Sequence, residues 1–263
     1  MKEQRFQYKD IELNVMEGPK HGLPILLLHG ATKNWQVFKP IIEELVHYLY
    51  VLAIDFRGHG KSKHVPGAYK LQDYLLDTHC FIKEYIKEPS IILGHSLGGM
   101  IGLMTAAHYP KLVRALIMLD APLTTAALKR LITEQGEFAN HLIQWLKVSR
   151  LLNISSFNNI HIPESLAQCD PDMLHAMIND FEATFHQYSI DELFPKIKCP
   201  LLIIRGNPKI GSLVEDHEVM QVKALLSDFT DIKLPYAGHS PINHDKRAVL
   251  KAINVFLRQY FKI

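Results

Sequence analysis

The sequence predicts an α/β protein: a mostly parallel central sheet with helices on both faces, and an inserted segment that is entirely helical. Short, continuous apolar runs alternate with longer amphipathic stretches, which is the pattern of parallel strands buried on both faces. This alternation stops after residue 120 and resumes near residue 196. With 263 residues, 48% hydrophobic and 21% charged, the chain has an ordinary globular composition.

The strands and helices follow a regular order in the first half of the chain. Residues 6–8 and 11–15 predict an antiparallel hairpin at the edge of the sheet. Apolar runs predict buried strands over 25–28, 50–54, 90–93 and 113–119. Helical spacing predicts a helix carrying Phe38, Ile41, Ile42, Leu45 and Leu49, a second over 71–87 and a third over 98–108.

The segment over 121–195 contains no convincing strand and predicts helices. Asp170 as N-cap and Pro171 at the first helical position mark one helix start. Two apolar stripes have helical spacing: Phe138, Leu142, Trp145, Leu146 and Leu152, then Leu174, Met177, Ile178, Phe181, Phe185 and Tyr188. The sheet resumes with strands over 201–204 and 231–234, a helix over 216–226, and a last helix carrying Val249, Ile253, Phe256, Leu257 and Tyr260. We therefore predict a core of 1–120 and 196–263, interrupted by a helical cap of 121–195.

The charge, the cysteines and the apolar runs argue against several classes of protein. A formal net charge of +2 without clustered lysine and arginine predicts no nucleic-acid partner. The three cysteines are far apart, which argues against a disulfide framework and excludes a CxxC metal or redox motif. The charged N-terminus does not resemble a signal peptide, and no apolar run approaches the roughly 20 residues of a membrane span. We expect a cytoplasmic protein without a membrane span.

The most informative motif is Gly-x-Ser-x-Gly, formed by Gly94, Ser96 and Gly98 between a predicted strand and a predicted helix. Such a turn is so sharp that side chains two residues before and after the serine would clash with its surroundings. The strained bend exposes the serine hydroxyl, and the following helix favours a developing negative charge. A phosphate loop is excluded because no Gly-Lys-Ser/Thr follows, and the stretch lacks the dinucleotide fingerprint.

The chain resembles the α/β-hydrolase superfamily at four motifs in the expected order. They are residues 29–31, 55–62, 94–99 and 237–239. The resemblance covers almost the whole chain, and the helical segment falls where this superfamily carries its cap. It implies hydrolysis by a serine nucleophile with no cofactor and no metal, and no metal-ligand spacing such as His-Glu-x-x-His occurs in the sequence.

The base and the oxyanion donors follow from the same resemblance. His239 lies between the last strand and the last helix, where the family carries its catalytic histidine, and His244 is a local rival. The residue after the nucleophile, Leu97, should give one oxyanion N–H, and Ala31 in the His-Gly-x loop should give the other. We expect His59 to be structural.

The acid of the triad departs from the family pattern. The acid usually follows the strand after the cap, about three residues past a glycine, but this position holds Lys209. Asp120, at the end of the strand before the cap, is the favoured candidate because a strand end is rigid and one strand from that of the serine. Asp216 is the alternative acid, and Glu215 stays open as a third candidate.

The large apolar residues of the helical segment indicate the substrate. Most should pack between helices, whereas some should line a pocket over Ser96; the set is Phe138, Trp145, Leu146, Phe157, Met173, Met177, Phe181 and Phe185. We expect a serine hydrolase that cleaves a small, mostly apolar carboxylic ester, with thioester, lactone and carbon–carbon bonds as related substrates. The second hypothesis is a ligand-binding protein of this fold with little or no turnover, motivated by the missing acid at the usual position.

Overall fold

The computed structural model describes residues 1–151, 163–226 and 228–262. Its centre is an eight-stranded sheet with the strand order β1-β2-β4-β3-β5-β6-β7-β8. The strands are β1 (Lys2–Tyr8), β2 (Ile11–Glu17), β3 (Leu23–Leu28), β4 (Leu49–Ile54), β5 (Ser90–His95), β6 (Val113–Leu119), β7 (Leu201–Arg205) and β8 (Thr230–Lys233).

The sheet is mostly parallel. Strands β3 to β8 pair in parallel, whereas β1 pairs with β2 and β2 with β4 in antiparallel fashion. This confirms the predicted fold class, including the hairpin at the edge of the sheet. The central strands β3, β4 and β5 are buried along almost their whole length and are mostly apolar, because helices cover both of their faces.

Eleven α-helices lie within the described residues. They are α1 (Lys39–Leu45), α2 (Leu71–Cys80), α3 (Leu97–His108), α4 (Ala126–Leu151), α5 (Glu164–Ala167), α6 (Pro171–Ile178), α7 (Phe181–Phe185), α8 (Ile190–Leu193), α9 (Asp216–Leu225), α10 (Pro241–His244) and α11 (Lys246–Tyr260). Within the described residues, no helix has both the length and the apolar composition needed to cross a bilayer.

Two apolar cores lie on opposite faces of the sheet. Successive residues of a strand point to opposite faces, so Leu26 and Leu28 of β3 enter one core, and Ile25 and Leu27 enter the other. The first core includes α3 and much of the helical segment between β6 and β7, whereas the second packs against α1 and α11. The carboxyl ends of the parallel strands therefore lie between the two helical layers.

Some sequence predictions of elements are wrong in detail. Leu49 does not belong to the first helix but begins β4, because that helix ends at Leu45 and a turn separates the two. The helix predicted over 71–87 changes at residue 81 from α-helix to a π-helical turn, Phe81–Ile86. Phe138 is 71% exposed rather than packed, because it projects from the outer side of α4. Leu152 and Phe157 lie outside the described residues.

The segment between β6 and β7 contains helices and, within its described residues, no strand. Contacts with the loop after β4 hold α6 in place: the Asp170 N–H donates to the Gly58 carbonyl oxygen at 2.8 Å, and the Asp170 carboxylate accepts from Tyr69. As predicted, Asp170 caps α6, accepting from the Asp172 N–H at 3.1 Å. Helix α6 is thereby positioned over the carboxyl end of the sheet.

Candidate active site

Ser96 occupies the sharp turn between β5 and α3. Its backbone has φ +53° and ψ −119°, a conformation that costs a non-glycine residue on the order of 1–3 kcal/mol. A side chain at Gly98 would meet the carbonyl oxygen of Leu28, and one at Gly94 would meet the backbone of the following turn. Glycine is therefore required on both sides of Ser96, for the steric reason that the sequence motif indicated.

His239 lies in the loop between β8 and α10. Its Nε2 is 3.1 Å from the Ser96 Oγ, and its Nδ1 is 2.8 Å from the Asp120 Oδ2. The carboxylate can only accept, so Nδ1 carries the proton and Nε2 is left free to accept one from the serine hydroxyl. The imidazole is 33% exposed, whereas the Asp120 side chain is fully buried.

Asp120 follows β6 directly and has a φ of +43°. Besides His239, its carboxylate accepts hydrogen bonds from the Gly206 N–H at 2.9 Å, the Ser212 hydroxyl at 2.5 Å and the Leu213 N–H at 3.1 Å. Burial would raise the pKa of this carboxyl, but the hydrogen bonds from His239, Ser212 and the neighbouring backbone hold the pKa below its ordinary value. The group is therefore a carboxylate at neutral pH.

The other acid candidates do not contact the imidazole. Asp216 forms ion pairs with Arg205 at 2.5 Å and Lys233 at 2.8 Å, and it is the first residue of α9 rather than its N-cap. Glu215 is that N-cap and forms an ion pair with Arg130 at 3.3 Å. The sequence reasoning missed Ser212 and the two N–H groups that hold Asp120, because loop residues carry no pattern that predicts a distant partner.

The loop after β3 presents Ala31 beside Ser96. The Gly30 carbonyl oxygen accepts hydrogen bonds from the His29 Nδ1 at 2.7 Å and the Lys33 N–H at 3.2 Å. In a trans peptide the carbonyl and the following N–H point in opposite directions, so these bonds turn the Ala31 N–H away from them. Within the described residues, no protein oxygen accepts a hydrogen bond from the N–H of Ala31 or of Leu97.

His29 is buried, and burial lowers its pKa to about 4, so that it is neutral near pH 7. Its Nε2 accepts from the Phe56 N–H at 2.9 Å, which leaves Nδ1 as the donor to Gly30. His59 is equally buried, with its Nδ1 2.9 Å from the Arg57 carbonyl oxygen, in a structural position as expected. His244, the local rival of His239, accepts from the Gly238 N–H at 3.3 Å and supports the same loop.

An apolar cavity of about 190 Å³ opens over Ser96. Its floor is formed by Ala31, Thr32, Leu97 and Met100, and its roof by residues of α4, α6 and α7: Leu128, Leu131, Ile132, Leu174, Met177, Ile178, Phe181 and Phe185. Three of the residues among which the sequence analysis expected a pocket lining, Met177, Phe181 and Phe185, thus face this cavity. The α4 residues were missed because helical spacing does not show which side faces a cavity.

The comparisons with known proteins agree with this architecture. The model of the alpha/beta hydrolase family matches residues 25–252, so the chain belongs to this family, and it is a hydrolase. It is 38% identical over 260 residues to the 2-(acetamidomethylene)succinate hydrolase of Mesorhizobium japonicum, a match that covers 94% of this chain and 92% of the relative. It is also 36% identical over 105 residues to a serine hydrolase-like protein of Danio rerio, covering 39% of this chain and 32% of that protein.

Solved structures show the same fold. The crystal structure of E-2-(acetamidomethylene)succinate hydrolase aligns with a TM-score of 0.75 at 24% identity, covering 97% of this chain and 98% of that one. The enol-lactonase from Burkholderia xenovorans LB400 aligns with a TM-score of 0.74 at 17% identity, covering 97% of this chain and all of the other. These identities are low enough that the likeness is one of fold.

Proposed function

We propose that the protein is a serine hydrolase that cleaves a small, mostly apolar carboxylic ester or a related acyl bond through an acyl-enzyme. The observation that carries this proposal is the position of the His239 imidazole, 3.1 Å from the hydroxyl of Ser96 and 2.8 Å from the carboxylate of Asp120. A nucleophile, a base and an orienting acid in mutual contact form the constellation that acyl transfer requires.

The reaction begins when the Ser96 Oγ attacks the carbonyl carbon while the His239 Nε2 takes its proton. Asp120 stabilises the resulting imidazolium, and the N–H groups of Ala31 and Leu97 stabilise the oxyanion. The bond from the carbonyl carbon to the leaving oxygen then breaks, and His239 returns the proton to that oxygen. In the second half, water attacks the acyl-enzyme with His239 again as base, which releases the carboxylic acid and restores Ser96.

The apolar acyl group is supported by the wall of the cavity over Ser96. Among the described residues that line this cavity, none is charged, and the only hydroxyl groups are those of Thr32 and Ser96. The name of the Mesorhizobium relative states that it acts on a succinate derivative, a dicarboxylate. Carboxylates in this cavity would lose their hydration without meeting a cation, so we propose a substrate whose acyl part is uncharged.

We also propose that residues 121–195 act as a cap over the site. Helices α4, α6 and α7 of this segment supply the roof of the cavity, whereas the proposed catalytic residues all lie outside the segment. The second hypothesis, a ligand-binding protein without turnover, depended on a missing acid. The contact of Asp120 with His239 supports turnover instead, because it provides a carboxylate for the imidazole.

The test is covalent labelling combined with hydrolysis. The protein is treated with a fluorophosphonate probe and mapped by mass spectrometry, and p-nitrophenyl butyrate hydrolysis is measured for the wild type, Ser96→Ala and the control Ser189→Ala. We expect stoichiometric labelling at Ser96, and loss of labelling and hydrolysis in Ser96→Ala alone. Unchanged hydrolysis in Ser96→Ala, or a folded wild type without labelling, would contradict the proposal.

A further inference from the structure

A second cavity lies beside the proposed active site. We infer that it binds the leaving group of the substrate, and that this group is a neutral alcohol that carries additional hydroxyl groups. The inference rests on the proposed function, since it names the alcohol half of the ester whose acyl half enters the apolar cavity. The second cavity, of about 360 Å³, is called the polar cavity below.

The two cavities are lined by residues that are adjacent in sequence, in the turns that carry the residues proposed for the chemistry. Ser96 lines the apolar cavity, and the preceding residue, His95, lines the polar one. The loop after β3 is divided in the same way: Ala31 and Thr32 face the apolar cavity, and the next two residues face the polar one. An ester bound at Ser96 therefore has one cavity on each side of its reacting carbonyl.

The proton route assigns the alcohol to the polar cavity. The leaving oxygen must receive its proton from the His239 Nε2, so the alcohol has to depart beside the loop that carries this histidine. Residues 240–243, which follow His239 directly, form one wall of the polar cavity. The apolar cavity is lined by no residue of this loop and is left for the acyl chain.

The lining of the polar cavity offers several hydrogen-bonding groups. Within the described residues, the Lys33 amine forms no ion pair, and the side chains of Ser240 and Asn243 make no hydrogen bond with protein. Gln36 uses its carbonyl oxygen to accept from Lys39 at 3.1 Å, which leaves its amide NH₂ group available. The Asn34 side chain is already engaged, since its Oδ1 accepts from the Gln36 backbone N–H at 3.0 Å and its Nδ2 donates to the Gln168 side chain at 3.1 Å.

The charges of this lining favour a neutral ligand. Lys33 supplies one positive charge and Glu164 one negative charge. The other described lining residues are uncharged near pH 7, including His95, because burial lowers the pKa of its imidazole to about 4. An alkyl alcohol would displace the water around Lys33 and Glu164 without replacing the hydrogen bonds that this water makes to the two side chains. A carboxylate would satisfy Lys33 but repel Glu164. A hydroxyl group both donates and accepts, so it satisfies either residue.

The test uses three butyrate esters with the same acyl group. They are 2,3-dihydroxypropyl butyrate, its 2,3-dimethoxypropyl analogue and carboxymethyl butyrate; methylation removes the hydroxyl donors while keeping a similar electron-withdrawing effect. We expect kcat/KM for the dihydroxypropyl ester to exceed that for both others by about tenfold, the effect of one to two net hydrogen bonds. Equal values for the two propyl esters, or a preference for the carboxymethyl ester, would overturn the inference.

Two variants locate the effect, one in the lining of the polar cavity and one remote from it. Lys33→Met combined with Gln36→Leu should remove most of the tenfold preference, through a rise in KM for the dihydroxypropyl ester that is much larger than any change for the dimethoxypropyl ester. Lys198→Met, an exposed lysine elsewhere, is the control. An equal loss on both esters, or a retained preference, would show that the polar cavity does not bind the alcohol.

The experiment separates this inference from the proposed function. If the wild type cleaves the dimethoxypropyl ester in a Ser96-dependent manner but shows no preference for hydroxyl groups, only the leaving-group inference fails. If no ester is cleaved and Ser96 is not labelled by a fluorophosphonate, both fail together.

Discussion

The His95 Nε2 lies 2.7 Å from the backbone carbonyl oxygen of His239, which makes His95 the donor of a hydrogen bond to the loop of the proposed base. The two rings are 4.9 Å apart. His95 is buried in the turn that carries Ser96, so this bond ties the nucleophile turn to the histidine loop from a second direction. It explains how an imidazole on a partly exposed loop is held within reach of the serine.

We expect His95→Phe to lower kcat/KM on p-nitrophenyl butyrate about fivefold, the effect of one net hydrogen bond of roughly 1 kcal/mol. His95→Gln retains a donor and should recover much of the loss. The readouts are steady-state kinetics and the rate of fluorophosphonate labelling at Ser96. Wild-type kinetics in a correctly folded His95→Phe protein would contradict the positioning role.

Asp120→Asn should reduce kcat on the order of 10⁴-fold while the protein stays folded, because the amide no longer orients and stabilises the imidazolium. The matched control is Asp216→Asn, which weakens the ion pairs of an exposed carboxylate with Arg205 and Lys233. It should leave kcat within about twofold, because Asp216 does not contact His239 and Arg205 keeps its ion pair with Asp231. Circular dichroism verifies folding in both variants. Near-normal kcat in Asp120→Asn, or a large loss in Asp216→Asn, would exclude Asp120 as the acid.

The candidate site shows which relationships between residues the sequence can predict and which it cannot. The Gly-x-Ser-x-Gly turn depends on local backbone sterics, so it can be predicted from consecutive residues. Asp120 could be favoured as the acid because a strand end has a definite place in a parallel sheet. The partners of Asp120 could not be found, since Ser212 is brought to it by the path of a loop. Phe138 was misplaced because helical spacing identifies a face without showing what covers it.

Gly98→Ala should destabilise the protein by more than about 2 kcal/mol, because the new methyl group would meet the Leu28 carbonyl oxygen and the backbone cannot yield cheaply. Gly136→Ala is the control within α4, where nothing lies within 4 Å of an added Cβ. That change should stabilise by about 0.5–1 kcal/mol. Urea unfolding measures both, and equal effects of the two substitutions would contradict the steric explanation.

The pH dependence of stability should carry the signature of His59. Burial lowers the pKa of His59 from 6.5 to about 3. Between these two pH values the His59 imidazole is protonated in the unfolded chain but stays neutral in the folded protein. Stability is therefore fully present above about pH 6.5 and falls by about 1.4 kcal/mol per pH unit for this residue as the pH drops toward 3. His59→Phe should reduce the slope between pH 6 and pH 4 by this amount, measured by urea unfolding. An unchanged slope would show that His59 is not the source.

Met177→Trp should restrict hydrolysis to esters with shorter acyl chains. Met177 is buried in the roof of the apolar cavity, and an indole at this position would fill part of its roughly 190 Å³. We expect kcat/KM for p-nitrophenyl octanoate to fall at least about tenfold while that for the acetate ester changes little, an overpacking effect of 1–3 kcal/mol. Phe138→Trp, on the exposed side of α4, is the control; a parallel loss on both esters would mean that the cavity does not hold the acyl chain.

The residues proposed to break the bond all precede residue 121 or follow residue 195, whereas the roof of the apolar cavity comes from the helices between those points. Because these two sets of residues come from separate stretches of the chain, substitutions between residues 121 and 195 can reshape the apolar cavity without altering the proposed catalytic residues.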